Sequence, residues 1–236
     1  MKEHIHTIPV LEALKEPGNC AFCAMKKKLE DGAIRFIMGP AYMEDDVRMK
    51  TNKTGFCKKH MDAMYEAGNR LGLALMLHTH VMELGRSMDS IPGLNTKPSF
   101  FAQSGDLYLS KLVEYLEKTN NLCYICEYVD STFERYVETF FMLWSKGGPE
   151  AQLINSQKGY CLPHFRVVLM QAAKLGGKKR SRFMEEILPV WLKHIKQLEE
   201  DLDWFTQKFD YRNKDADWKN SKDALPRAVA ILGGEA

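Results

Sequence analysis

Apolar residues recur at three- and four-residue spacings along almost the whole chain, the period of an amphipathic helix. The strict alternation that marks a strand is absent over any useful length. Residues 24–38 place Met25, Leu29, Ile34, Ile37 and Met38 in this rhythm, and Gly39-Pro40 ends the stretch. A long helix is predicted from near Cys57 towards Met88, with Met61, Met64, Tyr65, Leu71, Leu75 and Val81 as its buried stripe. Ser90-Ile91-Pro92-Gly93 stops it, and residues 91–105, rich in Pro, Gly, Ser and Asn, read as a connection. Helices at about 106–118 and 124–145 follow, then a break at Gly147-Gly148-Pro149 and a helix from Cys161. Residues 181–209 form one more amphipathic pattern, carried by Phe183, Ile187, Val190, Trp191, Ile195, Leu198, Leu202 and Phe205. Beyond Asp210 the chain is polar until Ala228-Val229-Ala230-Ile231-Leu232, an apolar end that either docks on the body or frays.

Composition narrows the class. With 236 residues the chain is one large or two small domains, and 45% apolar residues are ample for a core. Lys and Arg number 33 against 31 Asp and Glu, a net charge of +2 that excludes a polyelectrolyte. No basic cluster followed by an apolar run marks a signal peptide in Met1-Lys2-Glu3-His4-Ile5-His6. The cleanest apolar run, Leu71 to Leu77, is far shorter than a membrane span of roughly 20 residues. The expected setting is the cytoplasm, with no membrane span. Six cysteines are too few for a secreted disulfide scaffold, and in a reducing compartment they point to metal binding or redox chemistry.

The cysteines repeat. Cys20-x2-Cys23 is matched by Cys123-x2-Cys126 at an offset of 103 residues. Gly55-Phe56-Cys57-Lys58-Lys59-His60 is matched by Gly159-Tyr160-Cys161-Leu162-Pro163-His164 at 104, and Arg70-Leu71-Gly72 by Lys174-Leu175-Gly176 at the same offset. Upstream, Val10-Leu11-Glu12-Ala13-Leu14 resembles Leu112-Val113-Glu114-Tyr115-Leu116. This is an internal duplication. Each copy reads C-x2-C, a gap of about 34 residues, then C-x2-H. Two such pairs brought together make a Cys3His set of the kind that holds structural zinc. The expected first site is Cys20, Cys23, Cys57 and His60, and the expected second is Cys123, Cys126, Cys161 and His164. Four protein ligands close the coordination sphere, which suits a clamp rather than a catalyst. Two zinc ions per chain are therefore expected, with an iron–sulfur cluster as the less favoured cofactor. A thioredoxin-like dithiol role is disfavoured because no βαβ pattern surrounds either C-x2-C.

At these residues the chain resembles a bacterial family, the domain of unknown function 6062. The matching features are Cys20-x2-Cys23, the stretch from Arg48 to His60, Asn69-Arg70-Leu71-Gly72-Leu73-Ala74-Leu75, Cys123-x2-Cys126 and Gly159-Tyr160-Cys161-Leu162-Pro163-His164-Phe165. The likeness covers roughly residues 8–205. It implies a helical cytoplasmic protein of bacterial or archaeal origin and no particular activity.

Other residues carry weaker signals. Lys178-Lys179-Arg180-Ser181-Arg182 is the densest basic run, but it lacks interleaved aromatics, so nucleic acid is a disfavoured partner and a solvated loop with a basic helix start the better reading. His78 and His80 lie two apart on a predicted helix and face different ways. His4 and His6 read as adventitious binders at a terminus, and His194 as structural. Met61, Met64, Met76, Met82 and Met88 read as core filling rather than a pliable groove. Glu44-Asp45-Asp46 suits a helix start, where carboxylates meet the positive end of the dipole. No nucleophile elbow, phosphate loop or dinucleotide fingerprint appears, so no catalytic residue is assigned.

The expected fold is therefore all-α, with two tandem pseudo-symmetric helical halves, each clamped by a Cys3His metal site. Residues 1–90 form the first repeat, 91–105 the connection and 106–177 the second repeat. Residues 178–211 form a long helix packing on the body, and 212–236 the tail. The expected role is a non-catalytic scaffold that binds an unknown protein or small-molecule ligand. A metal- or thiolate-dependent redox enzyme and a nucleic-acid-binding regulator are the alternatives.

Overall fold

A computed structural model of the protein describes residues 5–18, 20–91, 104–157 and 159–234, with only the backbone described for 104–108. His4 and most of the predicted connection lie outside the described residues. The described residues form α1 (Thr7–Lys15), α2 (Ala21–Met38), α3 (Asp45–Thr54), α4 (Lys58–Glu66), α5 (Arg70–Asp89) and α6 (Ser104–Asn120). They continue as α7 (Tyr124–Lys146), α8 (Gly148–Asn155), α9 (Leu162–Ala173), α10 (Gly177–Gln207) and α11 (Ala224–Gly233), with short 3-10 turns at Pro40–Met43 and Tyr211–Asn213. There is no strand among the described residues, so the all-α expectation holds.

Two compact units emerge, and each draws on both sequence copies. The first contains residues 1–28 and 132–236, the second residues 29–131. Helices α2 and α7 each supply residues to both units.

In the first unit the core is aromatic. Phe22 is fully buried against Phe140 at 5.0 Å, Tyr160 at 5.5 Å and Phe133 at 5.9 Å between ring centroids. Phe183 of α10 fits against Phe141 and Trp144 of α7. The buried indole of Trp144 donates to Glu186 of α10 at 2.8 Å, and Asn155 at the end of α8 donates to the same carboxylate at 3.0 Å. Phe165 of α9 stacks flat on Trp191 of α10, 4.2 Å apart, while the Trp191 indole donates to the Tyr160 carbonyl. Helix α11 docks rather than frays: Ala228 and Ile231 pack on Leu198, and Arg227 pairs with the buried Asp201 at 2.8 Å.

In the second unit the predicted helix from Cys57 to Met88 is two helices. Gly68 adopts φ +92°, a left-handed conformation that ends α4. Asn69 then caps α5 by accepting from the Gly72 amide, and its side-chain amide donates to the Met38 carbonyl at 2.9 Å. The break shifts the helical phase. Leu71, Tyr65 and Val81, expected inside, are 67%, 59% and 63% exposed, and Leu73 with Met76 takes the core positions. Met64 and Met76 are fully buried, as core filling requires, whereas Met82 is 42% exposed. Helix α3 begins at Asp45-Asp46, as its acidic first turn suggests.

Candidate metal centres

Each pair of ligand-type residues stands at a helix start. Cys20 precedes α2, and Cys123 precedes α7. Cys57 is the N-cap of α4, and Cys161 is the N-cap of α9. A Cys or His three residues further on lies one turn ahead on the same face, so both side chains of a pair reach one point. Helix N-termini bring free backbone amides and a positive dipole end to the sulfurs. The amide of Cys126 stands 3.5 Å from the Cys123 sulfur in this way.

The pairs combine across the two copies, not within them. Cys20 and Cys23 meet Cys161 and His164 in the first unit, and Cys57 and His60 meet Cys123 and Cys126 in the second. The assignment of Cys57 and His60 to the first C-x2-C, and of Cys161 and His164 to the second, is thus corrected. Helix lengths give the reason. At 1.5 Å per residue, the 18 residues of α2 carry the chain about 27 Å, and the 10 residues of α3 cover only about 15 Å. The 23 residues of α7 and the 8 of α8 are still less equal, at about 34 Å and 12 Å. A segment of 34 or 35 residues that spends itself on such unequal helices does not return to its start.

The geometry is tight at both centres, with every ligand atom within 4.8 Å of the others in its set. In the first unit His164 Nδ1 lies 3.1 Å from Cys161 Sγ, 3.3 Å from Cys23 Sγ and 3.6 Å from Cys20 Sγ, and the sulfurs of Cys23 and Cys161 are 3.6 Å apart. In the second unit His60 Nδ1 lies 3.2 Å from both Cys57 and Cys123 and 3.4 Å from Cys126, with 3.8 Å between the Cys57 and Cys126 sulfurs. Nδ1 faces the sulfurs in both sets. In the second unit Nε2 of His60 is therefore left to donate to Glu30 Oε1 at 2.8 Å, and Glu30 also accepts from Lys59. A carboxylate behind a ligating imidazole fixes its tautomer and orientation.

Electrostatics make these sets unfavourable as bare clusters of thiolates. The hydrogen bond with Cys161, with burial added, pushes the Cys20 thiol up to about 11. Cys161 also rises to about 11: its contact with Cys20 acts downward, and Cys23 and burial outweigh it. Burial and the neighbouring Cys123 and Cys57 push Cys126 up to about 12. Cys123 is the exception. Burial acts upward on it, but His60 and the amides of Cys126 and Cys57 draw it down to about 6. Burial, helped by Lys26, drives His164 down to about 4, which keeps its imidazole neutral and able to ligate at neutral pH. A cation among the sulfurs would relieve the repulsion that raises these thiols.

Two histidines outside both tetrads shape the loops that carry the C-x2-H pairs. Gly55 adopts φ +58°, and a Cβ there would collide with the His80 ring. His80 is itself fixed by a 2.8 Å hydrogen bond to the Asn52 carbonyl. In the first unit Gly159 faces His194, whose Cδ2 would lie 3.0 Å from a Cβ. Both glycines thus admit a histidine ring beside the C-x2-H loop. Helical phase alone could not place these rings, because their partners lie 25 and 35 residues away in sequence. His78 is exposed, and the basic run from Lys178 to Arg182 is an exposed first stretch of α10. Arg182 there pairs with Glu186 and lies over the Trp144 ring.

Fold and site together define an all-α protein with two closely packed Cys3His tetrads, each able to bind a metal ion. The chain belongs to the family of unknown function DUF6062, whose sequence pattern matches residues 1–236. No curated protein and no solved structure matches it. No helix among the described residues is long and apolar enough to cross a membrane.

Proposed function

We propose that both tetrads hold zinc as structural ions, and that the protein is a non-catalytic, zinc-stabilised helical scaffold that binds a partner in a reducing cytoplasm. The observation that carries this reading is the spacing of the ligand atoms. A tetrahedral zinc with Zn–S of about 2.3 Å and Zn–N of about 2.0 Å has edges of about 3.8 Å between sulfurs and about 3.5 Å from sulfur to nitrogen. One sulfur pair in each tetrad stands 3.6 or 3.8 Å apart, all ligand atoms of a set lie within 4.8 Å of one another, and the sulfur–nitrogen separations run from 3.1 to 3.6 Å. An iron–sulfur cluster binds its ligands to different irons and holds them farther apart than one ion does. Four ligands from the chain leave a tetrahedral ion no open position for substrate. None of the six cysteines is in a disulfide, which suits a reducing compartment.

Elemental analysis of protein purified without an affinity tag or added metal tests the reading. Two zinc ions per chain are expected. Cobalt substitution should give the d–d absorption of a tetrahedral thiolate site. Absence of any transition metal, with all six thiols titrating freely in the folded protein, would overturn the reading. A brown iron-containing protein would replace it with the redox alternative.

A further inference from the structure

The two tetrads share a ligand set but present opposite faces to solvent. In the first unit Cys20, Cys23 and Cys161 are 3%, 3% and 0% exposed, and only His164 is partly accessible. The cover includes a segment distant in sequence. Gly234, which ends α11 at φ +84°, lies so close that its Cβ would come within 3.7 Å of the Cys161 sulfur and 3.9 Å of the Cys23 sulfur. Helix α11 is held there by Ile231 in the Leu198 cluster and by the Arg227–Asp201 pair. In the second unit the arrangement is reversed. His60 is 2% exposed and backed by Glu30, while Cys57 and Cys126 are both partly accessible.

Thermodynamic hold and kinetic access are separate properties. The carboxylate behind His60 strengthens a bound ion, since such partners are worth on the order of 10- to 100-fold in affinity. Accessible sulfurs open a path for exchange, because an incoming ligand can bind the ion as a thiolate leaves. A covered sulfur must wait for its cover to open, and local opening of a docked helix is a rare event.

We propose that the tetrad of Cys57, His60, Cys123 and Cys126 is an exchangeable zinc site that passes its ion to an incoming thiolate or chelating ligand, while the tetrad beneath α11 retains its own. This rests on the zinc reading above and adds a metal-donor role to it. The incoming ligand forms its bond to zinc as a Cys57 or Cys126 sulfur leaves, and that thiolate takes a proton from water. No electrons move.

The test uses the full chain loaded with zinc, its content measured first, and the chromogenic chelator 4-(2-pyridylazo)resorcinol. One equivalent should leave in a fast phase and the second about tenfold more slowly or slower still. In parallel, N-ethylmaleimide with peptide mass spectrometry should modify Cys57 and Cys126 first, as the fast equivalent is lost. Glu30→Gln should speed the fast phase on the order of tenfold and leave the slow phase unchanged. Ile231→Asp, which undocks α11, should accelerate the slow phase alone. If that variant does not fold, the phases and labelling order of the unmodified protein still decide. Both equivalents leaving together, or early labelling of Cys20, Cys23 or Cys161, would overturn this proposal and leave the zinc reading standing. A folded protein without zinc would overturn both.

Discussion

Cys161 and Cys20 lie 141 positions apart, yet their fates should be joined. With the crossed pairing, Cys20→Ser combined with Cys161→Ser damages one centre, so one metal ion per chain should remain. Cys20→Ser combined with Cys57→Ser damages both centres, so neither should bind normally. Pairing within the copies would reverse these two outcomes. Metal content of the two double variants, checked by cobalt absorption, decides between the arrangements. The thiols raised to about 11 and 12 would be protonated at neutral pH without an ion, so each lost ion should be accompanied by proton uptake.

Among the elements, α7, α8 and α10 are joined through one carboxylate. Burial acts upward on Glu186, but Arg182, Trp144 and Asn155 hold it below the ordinary carboxylate range. A depressed folded pKa contributes stability above the ordinary value, and that contribution is lost as pH falls through the lower folded value. Glu186→Ala should therefore cost about 2 kcal/mol at neutral pH, chiefly by leaving the buried Trp144 indole without its acceptor. The part of that cost due to charge should fade on acidification, as the native carboxyl takes up a proton. Denaturant midpoints of the two proteins, compared from neutral pH to below the carboxylate range, measure it. The helix boundaries around this junction were legible, because Gly147-Gly148-Pro149 interrupts the apolar rhythm openly. Gly68-Asn69 carries no such open signal: apolar residues continue on both sides, and the cap depends on a carbonyl 31 residues away.

At the scale of the whole molecule, both units close on a tetrad and on a helical core. A chelator strong enough to strip both ions should loosen the chain without unfolding it fully. The aromatic core around Phe22, Phe140 and Phe183 is large, whereas small zinc modules depend on about 10–16 kcal/mol of metal binding alone. Circular dichroism should show most helicity retained and a lower melting temperature, both restored by added zinc. Complete loss of helicity would mean that the metals nucleate the fold.

The sequence by itself determined the helical class, the eight ligand-type residues and their places at helix starts. Each of these rests on spacings of three or four residues, which the geometry of one helix converts directly into a shared face. Tertiary structure alone decided which pairs meet, which cysteines stay partly exposed, and why Gly55 has no room for a Cβ. Those outcomes depend on how far unequal helices carry the chain and on which distant ring or helix end arrives beside each sulfur. Identical spacing in the two copies was compatible with either pairing, because a repeat specifies ligands without specifying the path between them.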